Sequence, residues 1–113
     1  MIEQIRPAQM ADWLQTHAER QPLVLDVREP WEIQTASLPA VAGWDLITIP
    51  MGVLPARLHE FDKTRPVACL CHLGGRSMQV AMYLQHQGFA TVANIAGGIH
   101  AWSLEYDPSV PVY

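Results

Sequence analysis

A cysteine, two glycines and an arginine lie close together in the segment 71–76 of this 113-residue chain. The apolar run 67–71, which ends on Cys71, predicts a buried strand, and the apolar positions of segment 78–84 recur at helical spacing. Cys71 is therefore expected at the turn between a strand and a helix, where backbone N–H groups and the positive end of the helix dipole converge. Such surroundings favour the thiolate, which is the nucleophilic form of cysteine.

A structural interpretation of Cys71 competes with this catalytic one, because most free cysteines are small buried hydrophobes that do no chemistry. Gly74 and Gly75 favour catalysis, since both can take positive φ and turn successive N–H groups inward. Arg76 adds a fixed cation at the end of the loop. The segment therefore predicts a site for a small anionic substrate. Cys69, which lies deeper in the same strand, is expected to be buried and inert.

The segment 71–77, Cys-His-Leu-Gly-Gly-Arg-Ser, resembles the active-site loop of rhodanese-type sulfurtransferases, whose single-domain members often read Cys-x-x-Gly-x-Arg-Ser. Two flanking segments are similar to other signatures of that family, 25–32 to its N-terminal signature and 87–102 to its C-terminal one. The three segments follow the family's order and span nearly the whole chain. The resemblance implies an enzyme that moves a sulfane sulfur from a donor such as thiosulfate to a thiophilic acceptor.

The resemblance also implies that Cys71 attacks the donor's outer sulfur, releases sulfite and carries the sulfur as a persulfide. Cyanide, a small thiol or a thiol-bearing protein would then take the sulfur, and no separate cofactor is expected. Arg76 is expected to clamp the anionic donor, the alternative being a helix-start residue that reaches into solvent. Ser77 either donates a hydrogen bond into the loop or caps the helix. His72 is expected to be exposed rather than to titrate beside the cysteine, and Leu73 to shape the pocket mouth.

A second cluster follows the predicted strand 23–27, where Asp26 and Arg28 lie near the carboxyl end. A carboxylate at a buried strand end beside an arginine favours a structural ion pair, and the resemblance implies that this pair supports the active-site loop. In an open α/β sheet, sites lie beyond the carboxyl ends of the strands. Asp26 and Cys71 are therefore expected at the same rim of the sheet.

The alternation of predicted strands and helices indicates an α/β fold with a largely parallel sheet covered on both faces. The resemblance implies the rhodanese-like three-layer arrangement, in which a central, mostly parallel five-stranded sheet carries helices on both faces. A chain of this length suits a single domain, predicted here over 1–113. The proline-containing segment 107–113 is expected to be a loose C-terminal tail.

Composition and charge disfavour several classes of protein. Hydrophobic residues make up 50% of the chain and charged residues 16%, as in a globular domain, and the net charge of −4 disfavours nucleic acid as a partner. No apolar run approaches the roughly 20 residues of a membrane span, and no signal peptide is visible, so the cytoplasm is the expected compartment. Cys69, Cys71 and His72 match no zinc spacing, so no metal is expected.

Two other functions compete with sulfur transfer. A non-catalytic rhodanese-like binding or regulatory module would typically lack the cysteine, so Cys71 favours an enzyme. A cysteine phosphatase or arsenate reductase needs a larger loop, Cys-x5-Arg, to hold a tetrahedral oxyanion, whereas four residues separate Cys71 from Arg76. The segment 37–44 also departs from the His-Ile-x-Gly-Ala segment that the family often carries, which predicts an altered surface loop.

Overall fold

A five-stranded sheet forms the centre of the computed structural model, which describes residues 2–39 and 43–113. The strands span Glu3–Ile5 (β1), Leu23–Asp26 (β2), Asp45–Thr48 (β3), Val67–Leu70 (β4) and Val92–Ile95 (β5). They lie in the order β1–β5–β4–β2–β3, and each neighbouring pair is parallel. β2, β4 and β5 are buried along their whole lengths, which explains why these strands are mainly apolar.

Within the described residues, four α-helices connect the strands and a fifth follows β5. They span Met10–Thr16 (α1), Pro30–Thr35 (α2), Leu54–Arg57 (α3), Gly75–His86 (α4) and Gly98–Glu105 (α5). Short 3-10 turns at Pro7–Gln9, Ala18–Arg20 and Leu58–Glu60 adjoin α1 and α3. α2 begins at its proline, and a capping box between Glu29 and Glu32 satisfies N–H groups at that end.

Successive residues of the buried strands point to opposite faces of the sheet and enter two separate cores. On one face, Leu25 and Cys69 belong to the core that includes the inner sides of α3 and α4. On the other face, Val24 and Leu70 belong to the core that includes α1 and α5. Helices therefore cover both faces, and the predicted three-layer α/β fold is confirmed, with all of its strand pairs parallel.

The segment 107–113 packs against the domain, which differs from the loose tail that the sequence predicted. Val110 is buried in the core that contains α1 and α5. Ser103 of α5 also donates a hydrogen bond to the main-chain oxygen of Pro111. The prolines of this segment suggested looseness, but the valine between them provides an apolar anchor.

The altered loop predicted over 37–44 is described only in part, because residues 40–42 lie outside the described residues. Leu38 is buried in the same core as α1 and α5, and the partly buried Trp44 packs against that core. Apolar contacts therefore hold the loop on both sides of residues 40–42.

Candidate active site

Parallel pairing brings the two predicted clusters to one edge of the sheet. Asp26 at the end of β2 is in register with Leu70 at the end of β4. Cys71 directly follows Leu70, and Arg28 follows Asp26 after one residue. The carboxyl ends of the two neighbouring strands therefore place the cysteine, the carboxylate and the arginine at the same rim.

Cys71 lies between β4 and α4 with 1% of its surface exposed. The N–H of Gly74 donates a hydrogen bond to its Sγ at 3.1 Å, and the Ser77 hydroxyl lies 3.2 Å from the same sulfur. Gly74 has φ +106° and precedes the first residue of α4, so the positive end of that helix faces the loop. The Cys71 sulfur therefore has a polar neighbour on two sides.

The two loop glycines, both of which can take positive φ, differ in the structure. Positive φ occurs at Gly74, whereas Gly75 is the first residue of α4 and has no positive φ. A Cβ on Gly74 would come within 3.1 Å of the backbone nitrogen of Gly97, while a Cβ on Gly75 would meet no atom within 4 Å. The turn and the close approach to the neighbouring segment therefore depend on the first of the two glycines.

Ser77 is fully buried in the first turns of α4 and is held by a buried asparagine on β5. Its Oγ donates a hydrogen bond to Asn94 Oδ1 at 2.5 Å. The Asn94 Nδ2 group donates to Gln4 Oε1 at 2.9 Å and to the Gly74 main-chain oxygen at 3.2 Å, which fixes the amide orientation. Because its single proton goes to Asn94, Ser77 presents a lone pair to the Cys71 sulfur. The two roles expected for Ser77 were a donor into the loop and a helix cap. Its proton goes to Asn94 on β5 and the N-cap residue is Gly74, so the structure shows neither role.

Arg76 forms a two-pronged ion pair with Glu32 of α2. Its Nη1 and Nη2 donate to Glu32 Oε1 and Oε2 at 2.6 and 2.7 Å. These hydrogen bonds lower the pKa of Glu32 to about 2 against the opposing effect of burial, and they raise the pKa of Arg76 above its usual range. The sequence predicted that Arg76 either clamps the anionic sulfur donor or reaches into solvent. Neither expectation includes this ion pair. Its side chain is 36% exposed.

Asp26 and Arg28 form the buried ion pair that the sequence predicted. Arg28 is completely buried, and its Nη2 donates to Asp26 Oδ2 at 2.8 Å. Burial opposes the charge on the guanidinium, but the hydrogen bonds that Arg28 donates to Asp26 and Tyr113 outweigh this effect and raise the Arg28 pKa. The guanidinium also donates to the main-chain oxygen of Glu32 at 3.3 Å, which links this pair to α2. That the pair supports the active-site loop stays a prediction.

Tyr113 lies against His72 at one end of the loop and is linked through Glu32 to Arg76 at the other end. Its hydroxyl donates to Glu32 Oε2 at 2.6 Å and accepts a hydrogen bond from Arg28 Nη1 at 3.1 Å. Its ring stacks on the imidazole of His72, with centroids 4.0 Å apart and planes 9° from parallel. The sequence predicted an exposed His72, but the residue is half-buried. Leu73 is 62% exposed at the surface of the loop.

The start of α5 supports the loop from the opposite side. The N–H of Ile99 donates to the main-chain oxygen of Cys71 at 2.9 Å, and the N–H of His100 donates to that of His72 at 3.1 Å. Gly98 has φ +62°, and any Cβ there would overlap the main chain of the two loop residues. The segment that resembles the family's C-terminal signature therefore makes direct backbone contact with the catalytic loop.

Cys69 is completely buried in β4, and burial raises the pKa of its thiol. A neutral, inaccessible thiol is a poor nucleophile, so this geometry agrees with the expectation that Cys69 is inert. In residues 2–39 and 43–113, no group of three or more His, Cys, Asp or Glu side chains could hold a metal ion. Within the same ranges, no helix has the length and hydropathy needed to cross a membrane.

Sequence reasoning gave no role to three residues of this site. Glu32 was noted only as part of a signature, and Tyr113 fell within the predicted loose tail. Asn94 carried the clearest signal, because a polar residue inside a buried apolar strand requires partners. No sequence pattern linked Tyr113 to the loop, since its contacts span 41 residues to His72 and 81 residues to Glu32.

A comparison with protein families agrees with this geometry. A sequence model described as "Rhodanese-like domain" matches residues 10–105. The chain belongs to the rhodanese-like family. Its matched range includes β2, α2, β4, the loop that follows β4 and all of α5, but ends before Tyr113.

Known relatives extend this assignment. A protein named "Rhodanese-like/PpiC domain-containing protein 12, chloroplastic" from Arabidopsis thaliana is 47% identical over 80% of this chain, which spans 30% of that protein's length. A protein named "Sulfurtransferase" from Allochromatium vinosum is 40% identical over 72% of this chain and 71% of its own. A crystal structure of a rhodanese-like domain protein from Staphylococcus aureus matches with a TM-score of 0.76 and 26% identity, covering 99% of each chain. These relatives support sulfur transfer in general.

Proposed function

We propose that this rhodanese-like domain is a thiosulfate sulfurtransferase in which Cys71 carries the transferred sulfur. The observation that carries the proposal is the position of the Cys71 sulfur, which accepts a hydrogen bond from Gly74 N–H at the start of α4. A negative charge on that sulfur, or on a second sulfur bound to it, is stabilised by N–H groups and by the helix N-terminus. Membership of a family with a relative named a sulfurtransferase supports the same chemistry.

The transfer proceeds in two displacements at sulfur. In the first, the Cys71 thiolate attacks the outer sulfur of thiosulfate and forms a new S–S bond. The S–S bond within thiosulfate breaks, and its electron pair leaves with sulfite. In the second, an acceptor such as cyanide attacks the outer sulfur of the persulfide, thiocyanate leaves, and the thiolate is restored. Each step forms one bond to the transferred sulfur and breaks one S–S bond. No external oxidant, reductant or separate cofactor is therefore needed.

A thiol, free or on a protein, is the acceptor that we propose inside a cell. The thiolate attacks the outer sulfur of the Cys71 persulfide in the same way as cyanide. The loop leaves Leu73 exposed next to the half-buried His72, so a larger acceptor can approach this side of the loop. A reducing compartment such as the cytoplasm would keep both thiols available.

Arg76 is proposed to orient the anionic donor while it remains paired with Glu32. The ion pair occupies Nη1 and Nη2, but the side chain keeps 36% of its surface exposed. Because the carboxylate offsets much of the positive charge, we expect Arg76 to guide thiosulfate only moderately. Replacement of Arg76 by alanine should therefore slow sulfur loading and also destabilise the loop.

A cyanide-coupled assay tests the proposal. Purified protein is incubated with thiosulfate and cyanide, and thiocyanate is measured as its coloured ferric complex. Wild type and Cys69→Ala should form thiocyanate at similar rates, whereas Cys71→Ser should give only the uncatalysed rate. A wild type that forms no thiocyanate, and loads no sulfur from thiosulfate, would favour the alternative of a non-catalytic binding module.

A further inference from the structure

Tyr113 contacts the catalytic loop directly at His72 and is linked through Glu32 to Arg76 at its other end, although it lies beyond the family match over residues 10–105. We propose that Tyr113 is a positioning residue for sulfur transfer, a role that rests on the proposed function. Its ring and main chain hold His72, next to the nucleophile, and its hydroxyl holds the Glu32–Arg76 ion pair at the other end.

The hydroxyl of Tyr113 joins two ion pairs that come from different parts of the chain. It accepts a hydrogen bond from Arg28, which is paired with Asp26 after β2. It donates to Glu32 Oε2, the same oxygen that receives Arg76 Nη2. Hydrogen bonds to charged groups are roughly twice as strong as neutral ones. One hydroxyl thus connects the strand-end ion pair to the arginine that closes the catalytic loop.

The ring of Tyr113 holds the opposite end of the loop. It stacks on the His72 imidazole at 4.0 Å, and the Tyr113 main-chain oxygen lies 2.7 Å from His72 Nε2. The edge of Trp31 packs against the tyrosine ring, with centroids 6.1 Å apart. Upstream, the buried Val110 anchors the segment that carries the tyrosine. The ring is therefore a fixed support and not a side chain resting on the surface.

These contacts predict opposite changes in two reactions of the same sulfur. Cys71 is 1% exposed, so any reagent that reaches its sulfur must do so through an opening of the loop. Loss of the Tyr113 contacts should loosen the loop and make alkylation by a small uncharged reagent faster. Sulfur loading should become slower, because Gly74 N–H and Arg76 would no longer be held in position around the reacting sulfurs.

The experiment compares Tyr113→Phe and Tyr113→Leu in a Cys69→Ala background, so that Cys71 is the one thiol present. Tyr106→Leu is the matched control, since Tyr106 is a half-exposed aromatic residue that packs edge-to-face with Trp102. Second-order rates are measured for persulfide formation from thiosulfate and for alkylation by iodoacetamide. The ring-proton NMR shifts of His72 report directly on the stacking.

We expect Tyr113→Phe to load sulfur about tenfold more slowly, the rate equivalent of one hydrogen bond to a charged group, and to keep the His72 shifts. Tyr113→Leu should lose those shifts, load sulfur still more slowly and be alkylated several-fold faster than wild type. Tyr106→Leu should match the wild type in both rates. Because phenylalanine keeps the ring, the hydroxyl test stays informative even if the leucine variant folds poorly.

Unchanged alkylation in Tyr113→Leu, or loading of Tyr113→Phe within twofold of the wild type, would overturn the positioning role. Alkylation does not depend on sulfur transfer, so it separates this inference from the proposed function. If the wild type loads no sulfur, but Tyr113→Leu is alkylated faster and loses the His72 shifts, the proposed function fails and the structural coupling stands.

Discussion

Glu32 and Arg76 form an ion pair that joins α2 to the first turn of α4, across 44 residues of sequence. A cation in the first turn of a helix is unfavourable, because it lies at the positive end of the helix dipole. The buried Glu32 carboxylate compensates for this charge and at the same time fixes the end of the catalytic loop. The arginine of the loop therefore has a structural partner in addition to any role toward the substrate.

Stability should depend on pH through Glu32. Its pKa lies at about 2 in the folded protein against an ordinary value of 4.5, so the folded state binds this proton more weakly than the unfolded state does. The resulting stabilisation, about 3 kcal/mol, is fully present above pH 4.5 and is lost as the pH falls toward 2. Urea unfolding from pH 7 to pH 3 should show this loss in the wild type.

Glu32→Gln is the control for that measurement. The amide cannot titrate, so the stability of this variant should depend less on pH below 4.5. The variant should also be less stable than the wild type at pH 7, because it lacks the carboxylate that pairs with Arg76. Equal slopes for the two proteins would mean that the Glu32–Arg76 pair contributes little to folding.

Gly98 should tolerate no side chain. A Cβ there would lie 2.5 Å from the Cys71 main-chain oxygen, and the residue has φ +62°. We expect Gly98→Ala to destabilise the fold by about 2–4 kcal/mol through overlap and backbone strain. Gly75→Ala is the comparison, since its Cβ would meet no atom within 4 Å, and its free energy of unfolding should change by less than about 1 kcal/mol. Similar losses for both variants would contradict the close approach of α5 to the loop.

Asn94 and Ser77 should be energetically coupled. Asn94→Leu keeps the approximate size of the side chain but removes the acceptor for Ser77 Oγ and the donor to the Gly74 main-chain oxygen. The single variant should cost about 2–4 kcal/mol, since it leaves buried polar groups unpaired. Ser77→Ala in the Asn94→Leu background should cost at least about 1 kcal/mol less than in the wild type. Additive losses in urea unfolding would show that the hydrogen bond between them contributes nothing.

Loop length should select sulfur over phosphorus chemistry. Four residues separate Cys71 from Arg76, and a phosphoryl group with its several oxygens needs a wider ring of N–H groups. The wild type should therefore hydrolyse no aryl phosphate. One glycine inserted between Gly74 and Gly75 should weaken persulfide formation, because Gly74 N–H would no longer point at the sulfur. Clear phosphatase turnover by the wild type, or undiminished loading by the insertion variant, would refute the argument from loop size.

The parts of the fold that depend on local pattern could be predicted from the sequence. The apolar run 67–71 identified the buried strand β4, the predicted strand 23–27 corresponds to β2, and the helical spacing of 78–84 identified α4. The shared rim of Asp26 and Cys71 followed from the rule that parallel strands end at one edge. These features need only the identities of neighbouring residues and the direction of the strands.

The parts that depend on contacts between distant segments could not be predicted. The partner of Arg76 is Glu32, which lies on the distant helix α2. The segment that holds Tyr113 contains prolines and was expected to be loose, because a single valine, Val110, is a weak signal of packing against the core. Of the two loop glycines, Gly74 takes positive φ and Gly75 does not, because the helix begins at Gly75. In each case three-dimensional packing decided between local options that the sequence left open.

Intact-mass spectrometry after incubation with thiosulfate tests the central claim most directly. The wild type and Cys69→Ala should each gain the mass of one sulfur atom, dithiothreitol should remove it, and Cys71→Ser should gain none. Cys69→Ala serves as the matched control because it removes the buried thiol of the same strand and leaves Cys71 in place. A sulfur adduct on Cys71→Ser, or none on the wild type, would contradict a persulfide on Cys71.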